Sequence, residues 1–227
     1  MITLDNLPHV ITAIGGLGTA SFGLVDSTKV LGGGVNRIGF RRIQDVVHRL
    51  TPGAPARGLT RASIIDTLKA NWYNGTDLTS QKAIAKSLIK VCLNSGNSAD
   101  LAAATGVDAA LLTQVATCIG TGTALTPEQS DVYARFDFIL SAMLDEVYHR
   151  SDEAYATGTR VVASVFALIL AVLGGWTLHN AATPYFWSSD LAVAALAGVL
   201  ATPLAPIAKD LSSALAAAVN TLQVVKK

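Results

Sequence analysis

Residues 160–190 read RVVASVFALILAVLGGWTLHNAATPYFWSSD, and this stretch decides the solvent in which the chain folds. Between Arg160 and His179 stand 18 residues with no charge and a high content of Val, Leu and Ile. As a helix they span roughly 27 Å at about 1.5 Å per residue, close to the hydrocarbon thickness of a bilayer. A further 18 uncharged residues, 191–208, are rich in Ala and closed by Lys209 and Asp210. Pro203 and Pro206 interrupt their backbone hydrogen bonding near the end. Trp176, Tyr185, Phe186 and Trp187 cluster where the two segments meet, and amphipathic rings of this kind settle at a membrane interface. The competing reading is a buried hairpin in a soluble core. A charge-free run of this length is hard to bury in a soluble domain of this size.

Upstream of this hairpin, Thr126-Pro127-Glu128-Gln129 carries a complete helix-start signal: a capping Thr, Pro at the first helical position and Gln three residues after the cap. No proline follows until Pro184, so the pattern predicts one helix from 127 to 178, roughly 78 Å long, with Gly158 its weakest point. Val132, Phe136, Ile139, Met143 and Val147 recur at intervals of three and four, the seam of a bundle or coiled coil.

A third uncharged stretch occupies residues 7–25, diluted by Gly15, Gly16, Gly18 and Gly23. Small residues recur every four positions on two lines, Thr12, Gly16 and Ala20, then Gly15, Thr19 and Gly23. In a membrane helix such lines admit another helix at close range, either the hairpin or a second copy. The Gly16-Leu17-Gly18 pattern is not read as a nucleotide loop, because no strand precedes it. The N-terminus lacks the basic region and cleavage site of a signal peptide and is read as part of the mature protein.

The middle of the chain reads as a bundle of short helices. Residues 35–50 place Val35, Ile38, Ile43, Val46, Val47 and Leu50 on one face and Arg37, Arg41, Arg42 and Arg49 on the rest. Those arginines either meet anionic headgroups near the membrane exit or form the solvated face of a soluble helix. Residues 51–58, with Pro52, Gly53 and Pro55, break the chain. Thr60 caps the next helix, Asn74-Gly75 turns it, and Thr79 or Ser80 starts another, lined by Ile84, Leu88, Ile89 and Cys92. Residues 101–115, with Gly106 between two apolar segments, have the outline of a helix-turn-helix. Its second helix, 108–117, offers no Arg or Lys, which excludes nucleic acid as a partner. Residues 211–227 predict a helical tail with Leu211, Leu215, Val219, Leu222 and Val225 on a shared face.

Composition agrees with a modest helical domain plus membrane helices. The 227 residues are only 15% charged, with a mean hydropathy of +0.43 and a formal net charge of +1. Cys92 and Cys118 match no metal spacing and read as reduced, buried apolar residues. Residues 1–6 and 179–190 contain no Lys or Arg, whereas Lys29, Arg37, Arg41, Arg42, Arg150, Arg160, Lys209, Lys226 and Lys227 fall on the opposite side. The positive-inside rule then puts the N-terminus and the aromatic loop outside, and the main domain and C-terminus in the cytoplasm.

This layout resembles a broad group of uncharacterised bacterial inner-membrane proteins with one N-terminal membrane helix, a cytoplasmic helical domain and a C-terminal membrane hairpin. The likeness is carried by Met143 to Arg150, before the basic membrane entry, and by the small-apolar, Pro-containing exit from Ala201 to Leu211. It implies the topology and the inner membrane as location, and no activity.

The expected fold is therefore all-α, an integral membrane protein with about three transmembrane helices and a cytoplasmic bundle, one long helix running from the soluble domain into the membrane. The expected division is an N-terminal transmembrane helix at 1–26, a cytoplasmic domain at 27–159, a transmembrane hairpin at 160–210 and a cytoplasmic tail at 211–227. Asp145, Glu146, His149, Asp152 and Glu153 gather acids and an imidazole on neighbouring turns, but the second Glu-x-x-His pair of a dinuclear site is missing, so a salt-bridged surface is expected. With no catalytic set and no cofactor expected, the chain reads as a non-enzymatic anchor or scaffold. Its partners are the lipid bilayer and copies of itself or a membrane complex. An oligomeric channel or transporter component is the alternative. Thr12, Gly15, Gly16, Thr19, Ala20, Gly23, Val132, Phe136, Ile139 and Met143 are the expected packing and assembly residues. Arg41, Arg42, Arg160, Trp176, Tyr185, Trp187 and Lys209 are the expected interface residues.

Overall fold

The computed structural model describes residues 7–30, 32–51, 58–180 and 184–206, and among them there is no β-strand. The helices are α1 (Leu7–Val30), α2 (Asn36–Leu50), α3 (Arg61–Tyr73), α4 (Leu78–Val91), α5 (Ser98–Thr105), α6 (Ala109–Thr121), α7 (Pro127–Leu178) and, after a 3-10 turn at Tyr185–Trp187, α8 (Ser189–Pro206). The tail at 211–227, with Lys209, lies outside the described residues. The chain divides into two compact units, one being Asn36–Tyr155 and the other combining the described residues before Asn36 with those after Tyr155. Helix α7 contributes to both and continues through Gly158 without a break, as the absence of proline predicted.

In the bundle, local signals set the helix ends. Thr60 Oγ1 accepts from the Ser63 amide at 3.1 Å while Ser63 Oγ accepts from the Thr60 amide at 3.0 Å, a reciprocal cap. Gly75, at φ 69°, turns the chain after α3, a left-handed conformation that an L side chain strains to adopt. Helix α4 is capped by Asp77 rather than started by Thr79 or Ser80, because the Asp77 carboxylate accepts from the Ser80 amide at 2.8 Å. Hydrogen bonding from the Ser80 hydroxyl and amide holds that carboxyl below its usual range. The helix-turn-helix outline forms as α5, Gly106 and α6, with Asp108 capping α6 through the Leu111 amide. At the start of α7, the Thr126 amide donates to Gln129 Oε1 at 3.0 Å and the Gln129 amide donates to Thr126 Oγ1 at 3.3 Å, which is the capping box the sequence carries.

The bundle core gathers around Phe136, Leu140, Leu144 and Tyr148 of α7, all essentially solvent-free. The apolar residues that repeat along α7 pack into the bundle. Phe136 and Val147 face the chain's own core, Val132 and Met143 pack against it, and Ile139 is half-buried beside it. Leu140 and Leu144, one position further round the helix, complete the inward stripe and so leave Phe136 no free surface to offer a second subunit. Helix α2 turns Phe40, Ile43, Val47 and Leu50 inward, while Ile38, expected on that face, is 45% exposed. Its Gly39 permits a close approach: a Cβ there would stand 2.5 Å from the Trp72 ring and 2.7 Å from the Ser151 carbonyl oxygen. The Trp72 indole N–H donates to the Asn36 carbonyl at 3.0 Å, satisfying both groups inside the core.

Ion pairs join α4 to α7. Lys82 meets Asp145 at 2.6 Å, and Lys86 and Lys90 converge on the two oxygens of Asp137 at 2.7 and 2.8 Å. Partial burial alone raises the Asp137 carboxyl, but its bonds to Lys86 and Lys90 outweigh that and hold it below its ordinary value. The Lys90 ammonium, lowered by burial, is brought above its ordinary value by Asp137 and by Tyr133, whose ring centroid lies 4.8 Å away. Both cysteines are free thiols, Cys92 buried as expected and Cys118 half-buried, its thiol directed at Gln129.

Candidate functional site: the apolar helix unit

The second unit contains α1, the latter part of α7 and α8, and each of these helices is long and apolar enough to cross a membrane. Its packing is inverted relative to a water-soluble core. Ala163, Ala167, Ala201 and Ser21 are fully buried, while Ile169, Leu173, Leu196 and Val199 leave 47–61% of their surface exposed. Small residues inside and branched chains outside are what packing in lipid favours, since an outward Leu loses nothing in a hydrocarbon solvent.

Glycines carry the close approaches. A Cβ on Gly18 would collide with the Ala201 carbonyl and stand 2.8 Å from Ala205 Cβ, so α1 and α8 meet there backbone to backbone. On α8, a Cβ at Gly198 would lie 2.7 Å from Leu168 Cα, and one at Gly175 of α7 would lie 3.0 Å from Ala194 Cβ and collide with the Tyr185 hydroxyl. Tyr185 is 4% exposed, and its hydroxyl donates to the Val172 carbonyl at 3.1 Å. It is therefore a lock inside the hairpin. Its ring also borders His179, which is almost fully buried and pairs with Asp190 at 2.7 Å. That pair stands at one end of an apolar groove of 470 Å³ lined by Leu17, Leu170, Ala171 and Ala194.

Of the two small-residue lines expected on α1, the structure uses neither whole. Gly15 and Gly18, joined by Ser21 and Val25, face inward, because a period of 3.6 brings residues three and four apart onto one face. Thr12, Gly16, Ala20, Thr19 and Gly23 point outward, and a Cβ at Gly16 or Gly23 would meet nothing within 4 Å. Thr19 bonds back to the Gly15 carbonyl at 3.0 Å. The helix also runs past Asp26, which pairs with Lys29 at 2.7 Å, to end at Val30. Trp176 and Trp187 are 58% and 90% exposed, and Arg41, Arg42 and Arg160 are exposed as well. Pro203 lies within α8 without ending it.

No protein-family description, curated protein or solved structure matches this chain. The geometry alone therefore informs its function. The acidic stretch of α7 is a solvated surface, with Asp145 and Glu146 taken by Lys82 and Arg150. Among the described residues no group of three or more His, Cys, Asp and Glu is placed to hold a metal ion. Sequence reasoning missed Gly18, Gly198 and the Tyr185 lock. The only signal for Gly18 was its spacing of three from Gly15, which a search at intervals of four passes over.

Proposed function

We propose that this protein is a non-enzymatic membrane anchor that assembles with itself, crossing the bacterial inner membrane through α1, the latter part of α7 and α8. In this reading the N-terminus and aromatic loop are outside, and the helical bundle is cytoplasmic, as the Lys and Arg asymmetry favours. The observation that carries it is the outward face of α1 at Gly16 and Ala20, which stays exposed while Gly18 meets α8. A flat polar-poor strip of small residues gains little from lipid contact, since glycine offers no side-chain area. It gains from a second helix at close range. The exposed Val, Ile and Leu of α7 and α8 favour lipid as the remaining environment.

The test is the mass of the particle in mild detergent and in lipid nanodiscs. The unmodified protein is expected to run as a multiple of 23.5 kDa. The double variant Gly16→Leu, Ala20→Leu is expected to fall toward the single-chain mass while remaining inserted, since both changes raise hydrophobicity. A single-chain mass for the unmodified protein in both media, or an undiminished oligomer in the variant, overturns the assembly.

A further inference from the structure

The bundle carries a cluster of cations that its ion pairs leave out. Helices α2 and α3 border a groove of 700 Å³ lined by Arg37, Phe40, Arg41, Asp66, Lys69 and Tyr73. Elsewhere in the bundle Lys82, Lys86, Lys90, Arg135 and Arg150 each bond a carboxylate at 2.6–3.0 Å, Arg61 bonds the Thr51 carbonyl, and Arg42 and Arg49, which also lack a carboxylate partner among the described residues, do not line the groove. Among the described residues no carboxylate stands within 4.0 Å of a nitrogen of Arg37, Arg41 or Lys69. Three cations thus share one groove with the lone Asp66 carboxylate. Arg37 and Arg41 are one turn apart, where like charges destabilise a helix. An arrangement that opposes folding and lacks an internal counter-ion is complementary to an anion from outside.

The donor types in the groove favour one kind of anion. Two guanidinium groups on α2 and an ammonium on α3 line the groove, forked N–H donors and a point charge of the kinds that suit phosphate oxygens. The Lys69 ammonium is steered by the Tyr73 ring, 5.5 Å away, and Tyr73 is in turn held edge-on to Phe40 at 6.3 Å.

We infer that this groove binds the phosphate group of an anionic phospholipid through Arg37, Arg41 and Lys69. The phosphate chemistry rests on the groove alone. The choice of a lipid as its source rests on the membrane reading proposed above.

The full-length protein in detergent is titrated with phosphatidylglycerol, with phosphatidylcholine and with soluble glycerol phosphate, and bound adducts are counted by native mass spectrometry. The variant is Arg37→Gln, Arg41→Gln, Lys69→Gln. The control, Arg49→Gln, Arg135→Gln, Arg150→Gln, removes the same charge elsewhere. All three groove residues are exposed, so the fold tolerates the change, and an unaltered helical circular dichroism spectrum checks it. The expected result is phosphatidylglycerol binding at least about tenfold tighter than phosphatidylcholine, with a loss of about tenfold or more in the variant and little change in the control. Equal loss in variant and control makes the attraction one of net charge and overturns the site. Glycerol phosphate binding as tightly as phosphatidylglycerol, with the same residue dependence, overturns the lipid as source. The particle mass in nanodiscs is unaffected by either result, so failure here is distinct from failure of the anchor.

Discussion

Two glycines two residues apart on α1 are expected to respond differently to the same substitution. Gly18→Ala would place a methyl against the Ala201 carbonyl, 2.8 Å from its carbon and 2.8 Å from Ala205 Cβ. Carbon atoms prefer about 3.5–4.0 Å, so α1 and α8 must part by roughly 1 Å, which forfeits a quarter to a half of the dispersion energy along their shared face. Backbone lines both sides of this contact, and neither side has a flexible chain end that can swing away. Overpacking of this kind costs about 1–3 kcal/mol, offset by up to about 1 kcal/mol of helix propensity gained from alanine. With the full propensity gain, the net expectation is a loss of up to about 2 kcal/mol. Gly16→Ala meets nothing within 4 Å and gains only the propensity, while alanine remains small enough for a neighbouring helix. The propensity gain is common to both, so the two variants should differ by the overpacking alone, about 1–3 kcal/mol. Reversible unfolding in mixed micelles of increasing sodium dodecyl sulfate, followed by far-UV circular dichroism, reads this as a Gly18→Ala midpoint below that of Gly16→Ala. A Gly18→Ala midpoint as high as that of Gly16→Ala would refute the α1–α8 contact.

Two further perturbations probe the bundle and the long helix. Asp137→Asn removes both ion pairs between α4 and α7, and because the three side chains are about 30% exposed the expected loss is only about 1 kcal/mol. The folded carboxyl lies below its ordinary 3.8, so its contribution is present above about pH 4 and disappears as pH falls through the folded value. The thermal midpoints of the two proteins should accordingly converge in acid, and a gap that persists or widens there would contradict the pairing. Ala156→Pro removes one hydrogen bond of α7 and clashes one turn back, at a cost of about 3 kcal/mol or more. An unchanged melting temperature in detergent would mean that the helix is broken at this point.

The sequence alone determined the features that depend on residues close together in the chain. The capping box at Thr126 and Gln129 is satisfied by bonds across three residues, and the absence of proline from 128 to 183 leaves nothing to stop the helix that Pro127 begins. The charge-free runs likewise measure their own helices, because length and hydropathy are local properties. Only the tertiary structure decided which way equivalent faces turn. Gly15, Gly16, Gly18 and Gly23 are alike in composition, and the fit of Gly18 against Ala201, nearly two hundred residues later in the chain, selects one face for the interior and leaves Gly16 outside. Phe136 is an inward core residue because Leu140 and Leu144 turn the stripe toward the bundle, a rotation that intervals of three or four do not resolve. The bond from the Tyr185 hydroxyl to the Val172 carbonyl, 13 residues earlier, likewise has no signal in the sequence. The cation groove has no linear signature, since Arg37 and Arg41 acquire Lys69 as a neighbour only when α2 and α3 pack. A helix period tells which residues share a face, but the partner that covers that face is chosen by long-range packing.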